Sequence, residues 1–419
     1  MPNSFSRKIV TTGLILCIVL SVCSQFPGLQ GNGSFKGLLL LSWFVLFAAL
    51  LIGSRVYFSQ TLLVYLTLTL LFDCYCMVMD IFSNGEYLAT NHVRNLNISM
   101  FIMVIGYMVP SYVDVGKMKK VLLVYIAFVI VLMISVYQKS FSSTGMMDIN
   151  GYVYGSKNSL GPILLSAMII IAKLYETALR PQALIKYSVL ALMGVFITMM
   201  MNRASMVAGI MVLLFNLMFM NISLKRKFFA ILSIVAASVY ALQNNQIQQY
   251  LKQVTGIASF QNSGNLDGLS AGRVSIMEQG WAIFKAHPIF GIGATYVENF
   301  QLSALVHYGL AGGTILLLLS LIPLYKFTIR YRLNPDKFVQ TLSLLMLSLW
   351  INSLFEEESP FGPGVRAFII WFLVGYGIRM LSSVPAMNRR ISLPTLHSAG
   401  GAKSRVLGRS NIHPAGGSK

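Results

Sequence analysis

The chain has 419 residues, of which 56% are hydrophobic and only 11% charged. A soluble domain carries about 25% charged residues, so the composition excludes one and predicts an all-α polytopic integral membrane protein whose main partner is the lipid bilayer. A formal net charge of +19 would suggest nucleic acid in a soluble chain; here the basic residues sit in short loops and a tail, where orientation in the membrane accounts for them and no nucleic-acid partner is expected.

A membrane span needs about 20 mainly apolar residues. Runs near that length begin near Ile9, Gly37, Thr61, Asn97, Lys120, Ser159, Ala183, Ala204, Phe228, Leu302, Phe338 and Gly364, which predicts about twelve spans. The first follows Arg7-Lys8 with no small-x-small cleavage site after it, so it reads as a span and not as a signal peptide. Cys17, Cys23, Cys74 and Cys76 all lie in apolar runs, which argues against a disulfide framework or a zinc site. Residues 1–383 form the expected membrane domain. Residues 384–419, rich in Gly, Ser and Arg with little to bury, read as a disordered basic cytoplasmic tail.

Lysine and arginine set the orientation. With the N-terminus inside, internal loops and the tail hold 23 of the 32 basic residues. Nine face out: Lys36, Arg94, Lys139, Lys157, Arg203, Lys252, Arg273, Lys285 and Arg366. Glu356, Glu357 and Glu358 share one external loop. Both termini are then cytoplasmic, and the one long polar stretch, about 244–299, is a large extracytoplasmic loop between spans nine and ten. Reporter fusions after Gly264 and after Lys419 are expected to report opposite sides of the membrane; the same side for both would overturn this topology.

That loop carries the most distinctive pattern. A helix is expected from about Ser270, a good cap, to the residues before Pro288, which cannot continue it. Val274, Met277, Trp281 and Phe284 fall on one face at helical spacing, which would lay the helix on the membrane surface with Trp281 at headgroup depth. Gly291 and Gly293 allow a tight turn, and Glu298-Asn299 stand at the threshold of the next apolar run.

Few residues offer chemistry. Arg203, in the short link before the run from Ala204, places a guanidinium at the outer membrane surface, where a lipid-linked phosphate would lie; its other reading is a snorkelling anchor. Arg273 opens the loop helix, whose dipole favours anions there; otherwise it is a surface charge. Lys157, beside Asn158, and Arg366 read as interfacial anchors. Asp73 and Asp80 share one face of span three, as a structural pair with a neighbouring arginine. Asn299, Ser303 and His307, spaced four apart, make a polar stripe down span ten, with a structural hydrogen bond the favoured role of His307. Glu298 is the candidate general base, placed where an acceptor hydroxyl reaches it from outside; its other reading is a solvated rim charge. No metal-ligand cluster, phosphate-binding loop or dinucleotide fingerprint stands in the sequence, so no metal site and no cofactor is expected. The internal loops are too short for a sugar-nucleotide domain, so a transferase of this build would take an already activated, membrane-borne donor.

The segment from Trp281 to Gly313, W-A-I-F-K-A-H-P-I-F-G-I-G followed by E-N-F-Q-L-S-A-L-V-H-Y-G-L-A-G-G, resembles the O-antigen ligase and polymerase superfamily of bacterial envelope glycan assembly. Pro288, Phe290, Gly291, Gly293, Asn299, Gly309 and Gly312 match its pattern. Arg273 is similar to the family's arginine upstream of that helix, and Asn202-Arg203-Ala204-Ser205 to its Ser-Arg-x motif. Lys157-Asn158-Ser159-Leu160 resembles its Pro-Asn-x-x segment more weakly. The resemblance implies a multi-pass enzyme of the bacterial inner membrane that polymerises oligosaccharide repeat units carried on undecaprenyl pyrophosphate, for O-antigen, capsule or exopolysaccharide. Glu298, Arg273 and Arg203 would be catalytic, and Lys157, Asn158, Asn299, Trp281 and His307 would bind substrate. A chain-length regulator and a repeat-unit flippase are its expected partner proteins. Ligases of the family usually carry His where Glu298 stands, which favours a polymerase over a ligase that moves glycan to a lipid core or a protein. A twelve-span transporter or flippase is the rival from another class; such proteins often show two similar halves, and this chain shows none.

Overall fold

The computed structural model describes residues 4–53, 58–83, 86–140, 157–175, 179–200, 202–219, 273–333, 336–362 and 364–383, with a few positions between 223 and 232. These residues form α1 (Ser4–Cys23), α2 (Gly33–Gly53), α3 (Gln60–Ser83), α4 (Asn91–Met108), α5 (Val115–Ser140), α6 (Lys157–Leu174), α7 (Arg180–Met199), α8 (Arg203–Phe219), α9 (Arg273–Ala286), α10 (Phe300–Leu333), α11 (Lys337–Asn352) and α12 (Val365–Ser383), with no strand among the described residues. Eight helices, α1 to α5, α7, α10 and α12, are long and apolar enough to cross a membrane; α6 and α8 are shorter apolar helices. The expected runs fall on α1 to α8 and α10 to α12. The run from Phe228, the loop before Arg273 and the tail 384–419 lie outside the described residues, apart from a few positions at the start of that run.

The outer helices turn apolar side chains outward. Leu41 and Val45 on α2, Leu70 and Val78 on α3, and Leu184 and Val195 on α7 are all exposed, the inverse of a soluble surface and the pattern of a lipid-facing wall. α11 and α12 are central instead. From Val365 to Ile378 every residue of α12 is buried, and it crosses α4 where Gly106 and Gly375 let the two backbones touch.

α4 begins earlier than its apolar run predicts. Its first turns hold Asn91, His92, Arg94, Asn95 and Asn97, which read as loop by hydropathy. They form helix because the protein interior supplies their partners. Asn91 and Asn95 donate to Glu358, at 2.8 and 3.1 Å, and His92 bonds Ser303 at 2.9 Å. The expected arginine partner of Asp73 and Asp80 is not what the structure shows. Asp80 accepts the backbone N–H groups of Tyr87 and Leu88, at 2.6 and 3.0 Å, and so fixes the α3–α4 turn; Asp73 accepts from Asn97 at 3.1 Å.

α10 is broken at Gly309, whose backbone (φ 61°, ψ −164°) is not helical. A break inside a membrane frees backbone groups that must find partners. The loop after α9 supplies them. Leu310 and Ala311 donate to the carbonyls of Pro288 and Ile289, at 2.8 and 3.0 Å, while Ile292 and Gly293 donate to Val306 and His307, both at 3.0 Å. The Tyr75 hydroxyl lies 2.9 Å from the Phe290 carbonyl and 2.8 Å from that of Tyr308. The Pro-Ile-Phe-Gly-Ile-Gly stretch is therefore a plug stitched into a broken helix, and its glycines answer to contact: a Cβ at Gly291 would stand 2.4 Å from the His307 carbonyl oxygen. The same loop anchors α9, which packs Gly280, Ile283 and Phe284 against Val297, Leu302 and Val306.

Candidate functional site

Two asparagines set the ends of the helices that carry the site. Asn202 accepts the N–H of Ser205 at 2.9 Å and caps α8, leaving Arg203 as its first residue. Asn299 accepts the N–H of Leu302 at 2.8 Å and caps α10. Its amide nitrogen donates to the Leu354 carbonyl at 3.0 Å, and Phe300 N–H to that of Ser353 at 2.9 Å, so the first turn of α10 docks on the end of α11.

Just before the start of α10 lies a polar cavity of about 190 Å³. Asn158, Ser159, Tyr296 and Arg366 line it, with the carboxylates of Glu298, Glu356, Glu357 and Glu358. They come from the start of α6, the loop before α10, and the α11–α12 loop with the start of α12. All of these are segments that the basic-residue count assigns to one side of the membrane.

Beside the cavity, Arg273 pairs with Glu298 on one oxygen while the Tyr296 hydroxyl donates to the other. Burial, with the Glu298 carboxylate next to it, pushes the Tyr296 phenol up, so it stays a donor. The Arg273 charge also reaches Arg203 on one side and Glu356 on the other. Arg203 and Arg273 thus form a like-charged pair at the starts of two helices, where the dipoles add further positive potential.

Arg366 is not the interfacial anchor expected: it is 2% exposed. Its Nε donates to Gly362, and Nη1 donates to the Asn158 carbonyl at 3.2 Å and lies 3.7 Å from Glu356. Asn158 has that carbonyl to offer because Pro162, four residues on in α6, has no N–H to donate to it. Among the described residues, Nη2 has no hydrogen-bond partner.

Deeper in, Glu357 accepts from Ser303 at 3.1 Å, and its Oε1 lies 3.5 Å from His307 Nε2 and 3.9 Å from His92 Nε2. Burial, reinforced by Glu358 and Glu298, pushes its carboxyl up to about 7 against the pull of Ser303 and the Val297 backbone. His92, His307 and Glu357 are a set that could hold a cation, with one ligand atom each within 4.8 Å of the others. As they stand, His92 Nε2 faces Ser303 and His307 Nε2 faces the Thr295 backbone, which makes them a hydrogen-bonded cluster.

Of the expected site residues, Asn158 and Glu298 line the cavity, Arg273 reaches it through Glu298, Arg203 lies within reach of the Arg273 charge, and His307 stands behind Glu357. Asn299 spends its side chain on capping. Trp281 is not in the cavity: it is 47% exposed, with its ring tilted against Phe284 and Lys285 over it. The Lys157 side chain lies outside the described residues. Sequence reading passed over His92 and treated Glu357 only as one of three external acids. The available signals were the cluster of polar residues at the head of α4 and an acidic triplet between two apolar runs.

No curated protein matches the chain. Residues 188–315 match the family model described as O-Antigen ligase, a stretch that contains Arg203, Arg273, the plug and the break at Gly309 but neither Asn158 nor the acidic triplet. Over residues 188–315 the chain is therefore similar to the O-antigen ligase family, in agreement with the motifs around Arg203, Arg273 and the plug loop.

Proposed function

We propose that this protein is a glycosyltransferase of the bacterial inner membrane that polymerises lipid-linked repeat units on the extracytoplasmic side. The growing chain leaves undecaprenyl pyrophosphate and joins a hydroxyl of an incoming repeat. One observation carries this reading: Arg203 and Arg273 each open a helix, and Arg273 reaches the carboxylate-rich cavity through its ion pair with Glu298. Two guanidiniums at helix starts suit a dianionic ligand, which would share Arg273 with Glu298. The departing pyrophosphate gathers negative charge, so these groups favour the transition state over the bound ground state. Glu298 orients Arg273, and Asn158 offers its polar group to the sugar. A chain-length regulator and a flippase are its natural partners in such a pathway. Glu298, standing where ligases carry His, favours the polymerase. The match to the family of O-antigen ligases favours a second reading, transfer of finished glycan to a lipid core or protein.

Arg203→Ala and Arg273→Ala are each expected to cost roughly 1.5–3 kcal/mol of transition-state stabilisation, about one to two decades in rate. Arg203→Lys keeps the charge and loses the planar fork, so it stays impaired. In deletion cells, either alanine variant should accumulate lipid-linked single repeats at unchanged protein level. Full-length polymer from both would remove the arginines from the site; polymer of normal length that fails to reach its final acceptor would establish the ligase reading.

A further inference from the structure

We infer that the acidic cavity takes the terminal sugar of the acceptor, a neutral or amino sugar, and that Glu357 accepts the proton of its attacking hydroxyl. This rests on the transfer reading above and adds an acceptor class and a base to it. A volume of about 190 Å³ equals roughly six waters at about 30 Å³ each, the bulk of one sugar ring. Carboxylates only accept hydrogen bonds, so a ring of them suits hydroxyl or ammonium donors. Four carboxylates line the cavity; Arg366 engages Glu356 and Arg273 engages Glu298, which leaves Glu357 and Glu358 without a guanidinium among the described residues. A uronic acid would meet that excess of negative charge, whereas the pyrophosphate has Arg203 and Arg273 to meet it.

The four carboxylates are not equivalent. Glu298 is held by Arg273 and Tyr296, Glu356 by Arg366, and Glu358 by Asn91 and Asn95. Among the described residues, Glu357 takes hydrogen bonds from the Ser303 hydroxyl and the Val297 backbone, with two imidazoles beside it, and has no guanidinium or amide side chain holding it. The role of proton acceptor therefore moves from Glu298, the candidate from sequence, to Glu357. In the step, the acceptor oxygen bonds the anomeric carbon of the donor chain, and the carbon–oxygen bond to pyrophosphate breaks. The electron pair leaves with the lipid pyrophosphate, and the hydroxyl proton passes to Glu357, to be lost to water when product departs.

The groups facing Glu357 are His92 on α4, His307 and Ser303 on α10, Glu298 and Tyr296 on the preceding loop, Glu356 and Glu358 on its own loop, and Arg366 on α12. The test uses purified protein in vesicles with radiolabelled undecaprenyl-pyrophosphate repeat from the host strain. Glu357→Gln should lower turnover at least a hundredfold, while Glu298→Gln should slow it about tenfold or less. A hundredfold loss in Glu298→Gln beside near-wild-type turnover in Glu357→Gln would overturn the assignment. So would a rate abolished by EDTA and restored by Zn²⁺, which would make the His92–His307–Glu357 cluster a cation site. Linkage analysis of the polymer should find a neutral or amino sugar on the acceptor side of the bond between repeats; a uronic acid there would sink the cavity reading. If Glu357→Gln is active while the Arg203 and Arg273 variants are dead, only the base assignment fails. If all are active, the transfer reading fails with it.

Discussion

Arg366→Ala is expected to lower the stability of the protein by about 3–5 kcal/mol, because it strands a buried carboxylate. The Arg366 side chain is 2% exposed and that of Glu356 16%. Burial already pushes the Glu356 carboxyl up, and Arg366 is the chief group pulling it back. Removing the guanidinium also leaves the Asn158 carbonyl unsatisfied, since Pro162 has no N–H to offer it. Three segments would lose their common strut: the start of α6, the α11–α12 loop and α12. Thermal unfolding in detergent checks this against wild type. Adding Glu356→Gln to Arg366→Ala should recover part of the loss, because the penalty lies in the uncompensated charge and not only in lost contacts. An unchanged melting temperature for Arg366→Ala would show that the strut carries no load.

Gly309→Ala is expected to be comparably damaging. Its backbone occupies a region open essentially to glycine, and forcing another residue there costs about 1–3 kcal/mol. The added Cβ would also stand 2.2 Å from the Ile289 carbonyl oxygen and 2.5 Å from the Phe290 nitrogen, both backbone atoms of the plug. Relief requires pulling the plug out of the helix break, which unpairs Leu310, Ala311, Ile292 and Gly293 together. Gly28 provides the comparison: its φ is +92°, yet among the described residues nothing lies within 4 Å of an added Cβ. Gly28→Ala should therefore cost only the local strain, about 1–2 kcal/mol. Similar melting temperatures for the two variants would mean that backbone conformation, and not the plug contact, makes Gly309 matter.

Much of the helical frame was legible because it depends on composition over windows of about 20 residues. The misjudged boundary, the start of α4, fails that logic for a physical reason. Asn91, His92 and Asn95 are polar by type but lie in a helix because Glu358 and Ser303 satisfy them from more than 200 residues away. The break at Gly309 was hidden for a related reason. An apolar run looks continuous whether its hydrogen bonds are internal or supplied by a plug, and only the partner loop tells the two apart.

The candidate site divides along the same line. Local chemistry, readable in order along the chain, named Arg203 at the head of an apolar run, Arg273 at a helix start, and Glu298-Asn299 before the next run. It could not say that Glu298 and Arg273 would neutralise each other, that Asn299 would be spent on a cap, or that Arg366 would be buried. Those outcomes depend on which helix ends share one end of the bundle. Only the tertiary structure set the acidic triplet of the α11–α12 loop against His92 from α4 and His307 from α10, and so left Glu357 as the cavity carboxylate without a strong partner. The sequence by itself determined a membrane-embedded all-helical chain and the types of charge at its loops. The packing of helix ends decided which charges cancel and which remain for chemistry, because charge compensation acts through distance in space and not along the chain.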